Sequence, residues 1–132
     1  MSVRVINPAE LGAPRGYSNG LLYSGGSLLF VAGQIAWNAE QQIVSDDFIE
    51  QFACALTNVM TVVREAGGEA ESIGRLTIYV ADKSEYSADL KAVGAAYRSV
   101  MGRHFPTMTL VEVAGLLEPG ARVEIEATAV IP

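Results

Sequence analysis

The stretch LLYSGGSLLFVAGQIAW, residues 21–37, holds two apolar runs on either side of Gly25, Gly26 and Ser27. A glycine pair followed by serine between two such runs is a hairpin signal, which places strands near Leu21–Ser24 and Leu28–Gln34. The second run is apolar at consecutive positions, Leu28, Leu29, Phe30 and Val31, where a half-buried strand would alternate. Successive side chains of a strand point to opposite faces, so this sheet is apolar on both sides and both sides need a cover.

Working outward, the chain holds two helical segments. In SDDFIEQFACALTNVMTVVREAGG, residues 45–68, Phe48, Ile49, Phe52, Leu56, Val59, Met60 and Val63 recur at steps of three and four. Ser45 is the expected cap, Asp46 and Asp47 suit the positive end of the dipole, and Gly67 and Gly68 stop the helix after Ala66. The second helix is expected from a cap at Ser84, with Tyr86, Leu90, Val93, Tyr97 and Met101 on its apolar side. Between them SIGRLTIYVAD reads as a strand. VRVIN at the start, FPTMTLVEVAG at residues 105–115 and RVEIEATAVI at the end read as three more, and Pro119-Gly120 marks the turn before the last. The order is β-β-β-α-β-α-β-β, a compact α/β or α+β sandwich in one domain over residues 1–132. Two helices cover one face only. The expected cover for the other is a second copy of the chain, in a symmetric oligomer with a ligand pocket near the subunit boundary.

Composition narrows the partners. Fifteen acidic residues against nine basic give a net charge of -6, which disfavours a phosphate backbone, because nucleic-acid binding leans on clustered Lys and Arg. No run approaches the roughly 18 apolar residues a membrane span needs, so the chain reads as soluble and cytoplasmic. His104 and Cys54 are the only residues of their kinds, and neither has a companion at ligand spacing, so no metal is expected. Cys54 reads as a small core residue on the apolar side of its helix. Neither a phosphate-binding glycine loop nor a G-x-S-x-G elbow occurs. The carboxylates are the remaining acid/base candidates. Glu112 lies between Val111 and Val113, and Glu124 and Glu126 share a parity with Arg122 and Thr128, a pattern that also fits a solvated face of an edge strand.

The pieces GYSNG, LLFVAGQIAWN, LTIYVAD, FPTMTLVEVAGL and VEIEATAV, in this order and spacing, resemble the RidA (YjgF/YER057c/UK114) family of enamine/imine deaminases over nearly the whole chain. The resemblance implies an α+β, chorismate-mutase-like fold with a mixed six-stranded sheet and two helices on one face, and a homotrimer with a central β-barrel, helices outside and a small-molecule cleft between subunits. It also implies hydrolysis of an enamine or imine such as 2-aminoacrylate to a keto acid and ammonia, with no metal or organic cofactor. Such chemistry needs a positioned water, a group that moves protons near neutral pH and a clamp on the substrate carboxylate. By resemblance, Tyr17 matches the cleft tyrosine and Glu124 the carboxylate that orients water or shuttles protons. Leu110 matches the position whose backbone holds substrate and water, and Gly33, in the G-Q-I piece, also falls in the cleft.

The clamp departs from the pattern. Deaminating members read P-x-R-[ST], with the arginine bridging the substrate carboxylate, whereas PTMT puts Met108 at that position, and Gly94 stands in place of the family's cleft asparagine. A thioether makes no ionic fork, and losing one costs roughly two or more decades in affinity. The expectation is a RidA-like hydrolase with altered specificity, poor on 2-aminoacrylate. The alternative is a non-catalytic small-molecule-binding trimer. Arg15, two residues before Tyr17, and Arg103, ahead of the Phe105-Pro106 entry, are candidates to replace the missing arginine.

Overall fold

The computed structural model describes residues 1–132. Its elements are β1 (Ser2–Ile6), β2 (Gly20–Ser24), β3 (Ser27–Gln34), α1 (Phe48–Glu65), β4 (Ile73–Val80), α2 (Lys83–Ser87), α3 (Leu90–Met101), β5 (Thr107–Glu112) and β6 (Val123–Ile131), with 3-10 turns at Ala9–Leu11 and Ala70–Ser72. The α+β class and the order of strands follow the expectation.

The sheet differs from it. Six strands form two sheets, an antiparallel β1-β2 ribbon and a four-stranded sheet ordered β3-β6-β4-β5, in which only the β4-β5 pair is parallel. Residues 21–34 do not make the expected hairpin. Gly25 and Gly26 carry φ of 81° and 80°, yet the strands they join take other partners. The eight-residue β3 finds a longer ladder along the nine-residue β6, from Ser27 opposite Ile131 to Gln34 opposite Ile125, than the five-residue β2 can supply. The freed β2 pairs with β1, Val5 opposite Leu21. β6 is consequently a central strand flanked by β3 and β4, not an edge, and the edges are β3 and β5.

α1 begins one turn into its acidic segment. Asp47, not Ser45, is the cap, accepting from the Glu50 amide at 2.9 Å, while the Ser45 hydroxyl accepts from the Asp47 amide at 3.0 Å. The helix ends in a Schellman turn: the Gly67 amide donates to Arg64 and the Gly68 amide to Val63, each at 2.9 Å, with Gly67 at φ 91°. The single second helix expected from Ser84 onward is two helices. Asp82 caps α2 through the Ser84 amide, and Asp89, outside helical geometry at φ -147°, caps α3 afresh through the Ala92 amide.

The core lies between α1, α3 and one face of the four-stranded sheet. From α1 it takes Phe52, Leu56, Val59, Met60 and Val63; from α3, Val93, Tyr97 and Met101; from the sheet, Val31, Leu76, Ile78, Val80, Val123 and Ile125. Burial of each large apolar side chain contributes about 1.5–3 kcal/mol. Cys54 is only half-buried and stands outside this cluster, a correction to its reading as a core residue. No helix is long and apolar enough to cross a membrane.

The opposite face carries no helix. It presents Leu28 and Phe30 of β3, 61% and 72% exposed, and Phe30 borders, with Thr128 and Glu126 of β6 and Arg75 and Thr77 of β4, a depression of about 590 Å³. The doubly apolar reading of Leu28–Val31 is therefore met on the inner side by Leu29 and Val31, which pack toward the core, and left open on the outer side.

Candidate functional site

The two ends of the expected chemistry lie on different faces of the sheet. Val123, Ile125, Ala127 and Ala129 of β6 point into the core, so Glu124 and Glu126 project from the open face, half-buried. β4 supplies their neighbour, since Tyr79 stands opposite Glu124 in the ladder. The Tyr79 hydroxyl donates to Glu126 Oε1 at 2.7 Å. That hydrogen bond to a carboxylate raises the phenol above its usual range, and the negative charge of Glu124 adds to the effect. Gly33 of β3 faces the same carboxylate. A methyl group at this position would fall on the Glu124 carboxyl group, so the bare backbone of Gly33 makes the room in which that group lies. Tyr79, Glu124 and Glu126 open, with Val113, Leu116 and Leu117, onto a shallow cavity of about 300 Å³.

Met108 and Leu110 face the other way. β5 runs parallel to β4 with Met108 opposite Leu76 and Leu110 opposite Ile78, and both pack against the core on the helix side. Met108 lines a cavity of about 330 Å³ whose walls include Phe52, Val93, Tyr97 and Phe105, with Gly94 and Arg98 of α3 at its border. The loop bearing Tyr17 is tied to this side. The Ser18 amide donates to the Pro106 carbonyl at 3.1 Å and its hydroxyl to the Phe105 carbonyl at 2.7 Å, which brings Gly16 into the cavity wall. Tyr17 itself is exposed and is not part of that wall.

Below the cavity, His104 is a structural residue of the loop entering β5. Its Nε2 lies 2.7 Å from the Ile73 carbonyl, and the Tyr97 hydroxyl donates to the His104 carbonyl at 2.5 Å. Burial pushes the Tyr97 phenol well above its ordinary range. These contacts hold the start of β5, and with it Met108, against α3.

A family model described as endoribonuclease L-PSP matches residues 8–131. The chain belongs to the RidA family. It is 32% identical over 129 residues to the 2-iminobutanoate/2-iminopropanoate deaminase of Capra hircus, an alignment spanning 96% of this chain and 89% of that protein. Among solved structures it is similar to the Yersinia pestis YyfB protein of the conserved Rid family, with a TM-score of 0.88 at 33% identity over 99% of this chain and all of that one. Rv2704 of Mycobacterium tuberculosis, a member of the YjgF/YER057c/UK114 family, matches with a TM-score of 0.66 at 30% identity, covering 98% of this chain and 100% of that one.

Within the RidA framework one copy of the chain keeps the Glu124–Gly33 pair apart from the Met108–Gly94 cavity, with the sheet between them. Arg15 and Arg103, the candidate replacements for the missing arginine, are exposed and absent from the walls of the Met108 cavity. Arg98 is there instead. It follows Gly94 by four residues, the helical spacing that stacks two positions on one face, so the pairing was readable once Gly94 had been singled out. Tyr79 carried no such signal, because its place opposite Glu124 depends on the β4–β6 register.

Proposed function

We propose that this protein hydrolyses imines, in a cleft completed by two neighbouring copies within a homotrimer. The observation that carries the reading is the Glu124 carboxylate, held in space left by Gly33 and facing a tyrosine–carboxylate pair, on the face of the sheet that has no cover of its own. In the reaction water adds to the imine carbon and the C–N bond breaks, giving a carbonyl compound and ammonia. Glu124 takes a proton from the attacking water and returns one to the departing nitrogen, which a single positioned carboxylate can do in sequence. Tyr17 and the Leu110 backbone contribute from the Met108 side. Deaminase names among relatives of 32% identity support this class of reaction. The endoribonuclease description of the family model is not favoured here, since a net charge of -6 and a site built on Glu124 and Glu126 repel a polyanion.

Met108 alters the selectivity. Without a guanidinium on β5 the cleft lacks the fork that would grip a small α-imino acid, so 2-aminoacrylate is a poor substrate. A coupled assay of imines produced by an amino-acid oxidase tests both points. Glu124→Gln, which keeps shape and most hydrogen bonding, is expected to lower turnover on any imine accepted by about 10²-fold or more. Met108→Arg is expected to raise the rate on 2-aminoacrylate, the gain limited by Gly94. Equal turnover by wild type and Glu124→Gln would remove Glu124 from the reaction, and no turnover of any imine by the wild type would remove the hydrolase and leave a trimer that only binds its ligand.

A further inference from the structure

Helix α3 carries a glycine in its interior, at position 94, where glycine costs roughly 0.5–1 kcal/mol against alanine. Its backbone φ is ordinary, so no turn or cap explains it. What lies over it is the Arg98 side chain. A Cβ at residue 94 would stand 3.1 Å from Arg98 Nη1 and 3.9 Å from Cζ, close enough that the guanidinium would have to give way by a few tenths of an ångström. The missing side chain lets the guanidinium fold back along its own helix toward the cavity floored by Met108. The salt bridges of the chain are Arg64–Glu69 and Arg122–Glu85, and Arg98 has no hydrogen-bond acceptor either. An unpaired guanidinium thus borders a cavity of about 330 Å³ whose other walls, Phe52, Val93, Tyr97, Phe105 and Met108, are apolar or aromatic.

We propose that Arg98 is the carboxylate-binding residue of this site, and that among the imino acids of the hydrolase reading and their oxo products it selects those with a branched or aromatic side chain. A carboxylate pairs with the planar fork of Arg98 at the border, and the apolar chain occupies the space that Met108 and Gly94 leave, where a small acid such as 2-aminoacrylate would fill little of it. The substrate class rests on the hydrolase reading; the binding role of Arg98 is measurable without turnover.

The probes are phenylpyruvate, which has the carboxylate, and phenylacetone, which lacks it, titrated calorimetrically against the wild-type protein, Arg98→Ala, Arg98→Lys and Gly94→Leu. Arg98 is exposed on its helix, so its replacement leaves the core untouched, and a thermal melt checks each variant. Wild type is expected to bind phenylpyruvate at least 10-fold more tightly than phenylacetone. Arg98→Ala should weaken phenylpyruvate binding about 10- to 100-fold and leave phenylacetone unchanged, with Arg98→Lys intermediate. Gly94→Leu keeps the charge but pushes the guanidinium off the helix surface, and should reproduce the Arg98→Ala loss. No preference for the acid by the wild type, or equal losses for acid and ketone in Arg98→Ala, overturns the assignment. If imine hydrolysis depends on Glu124 while phenylpyruvate binding ignores Arg98, the clamp fails and the hydrolase stands. If binding depends on Arg98 and no imine is turned over, the clamp stands and the hydrolase fails.

Discussion

Position 33 shows how one hydrogen in place of a methyl shapes a site. Gly33 meets only the side chain of Glu124, not its backbone, so Gly33→Ala would displace the carboxylate and leave the strand in place. Its φ lies outside the left-handed region, which alanine could not share, so the substitution is expected to change stability by no more than about 1 kcal/mol. Turnover should fall by about 10²-fold, much as for Glu124→Gln, if the carboxylate moves protons from its present place. Thermal melts alongside the coupled imine assay separate the two quantities. Full activity in a folded Gly33→Ala protein would show that the pose of Glu124 is immaterial. Gly33 and Glu124 are each legible in the sequence, through the G-Q-I and VEIEA pieces, but their contact depends on the β3–β6 pairing across about ninety residues, which no local pattern encodes. Arg98 was open to local reading, being one helical turn from Gly94, yet an arginine on an exposed helix face is ordinarily a solvated one.

Elements follow their local signals closely where periodicity and end signals agree, as at the Gly67-Gly68 end of α1, and depart where several partners compete for one strand. The Gly25-Gly26 turn argued for pairing β2 with β3, but ladder length decided for β3 with β6. A related case is Gln51. In the helical pattern it is a polar residue among apolar ones, yet in the fold it is fully buried, its Nε2 donating to the Ser45 carbonyl at 2.7 Å and the Gly120 carbonyl at 2.9 Å. Its Oε1 accepts from the Arg122 amide at 2.8 Å. These bonds fasten the turn of Glu118 to Ala121, where Gly120 sits at φ 87°, to the start of α1, and so fix where β6 begins and where Glu124 projects. Gln51→Ala takes the partner from two carbonyls and an amide in partly buried surroundings and is expected to destabilise the fold by about 2 kcal/mol or more. Gln51→Leu, of similar volume, should lose nearly as much, because the cost arises from the orphaned polar groups rather than from a void. Urea denaturation decides this, and a loss below 1 kcal/mol for either variant would mean that water takes over the contacts.

For the whole molecule the deciding surface is the open sheet face. Leu28 and Phe30 lie exposed on it, and a large apolar residue 72% exposed at the centre of a strand is unusual for a chain that stays alone in water. The inner parity of the same strand is satisfied by the core, so the outer parity is free to meet another copy, which is what four consecutive apolar residues in β3 already implied at the level of sequence. What sequence could not show is how the site divides: Glu124 opens to the uncovered face while Met108 and Arg98 belong to the helix side, so a ligand touching both needs two copies. Three copies of the 14.0 kDa chain should sediment as one species of about 42 kDa. Phe30→Asp places a charge where apolar faces would meet and should yield a folded particle of about 14 kDa, since the core between the helices and the inner sheet face does not include Phe30. Because that monomer would hold each half of the cleft without the other, it should lose imine hydrolysis while keeping its thermal transition. A wild-type chain that sediments as a monomer, or a monomeric Phe30→Asp protein with full turnover, would refute the shared cleft and require Glu124 to act with groups on its own face, Tyr79 and Glu126 first among them.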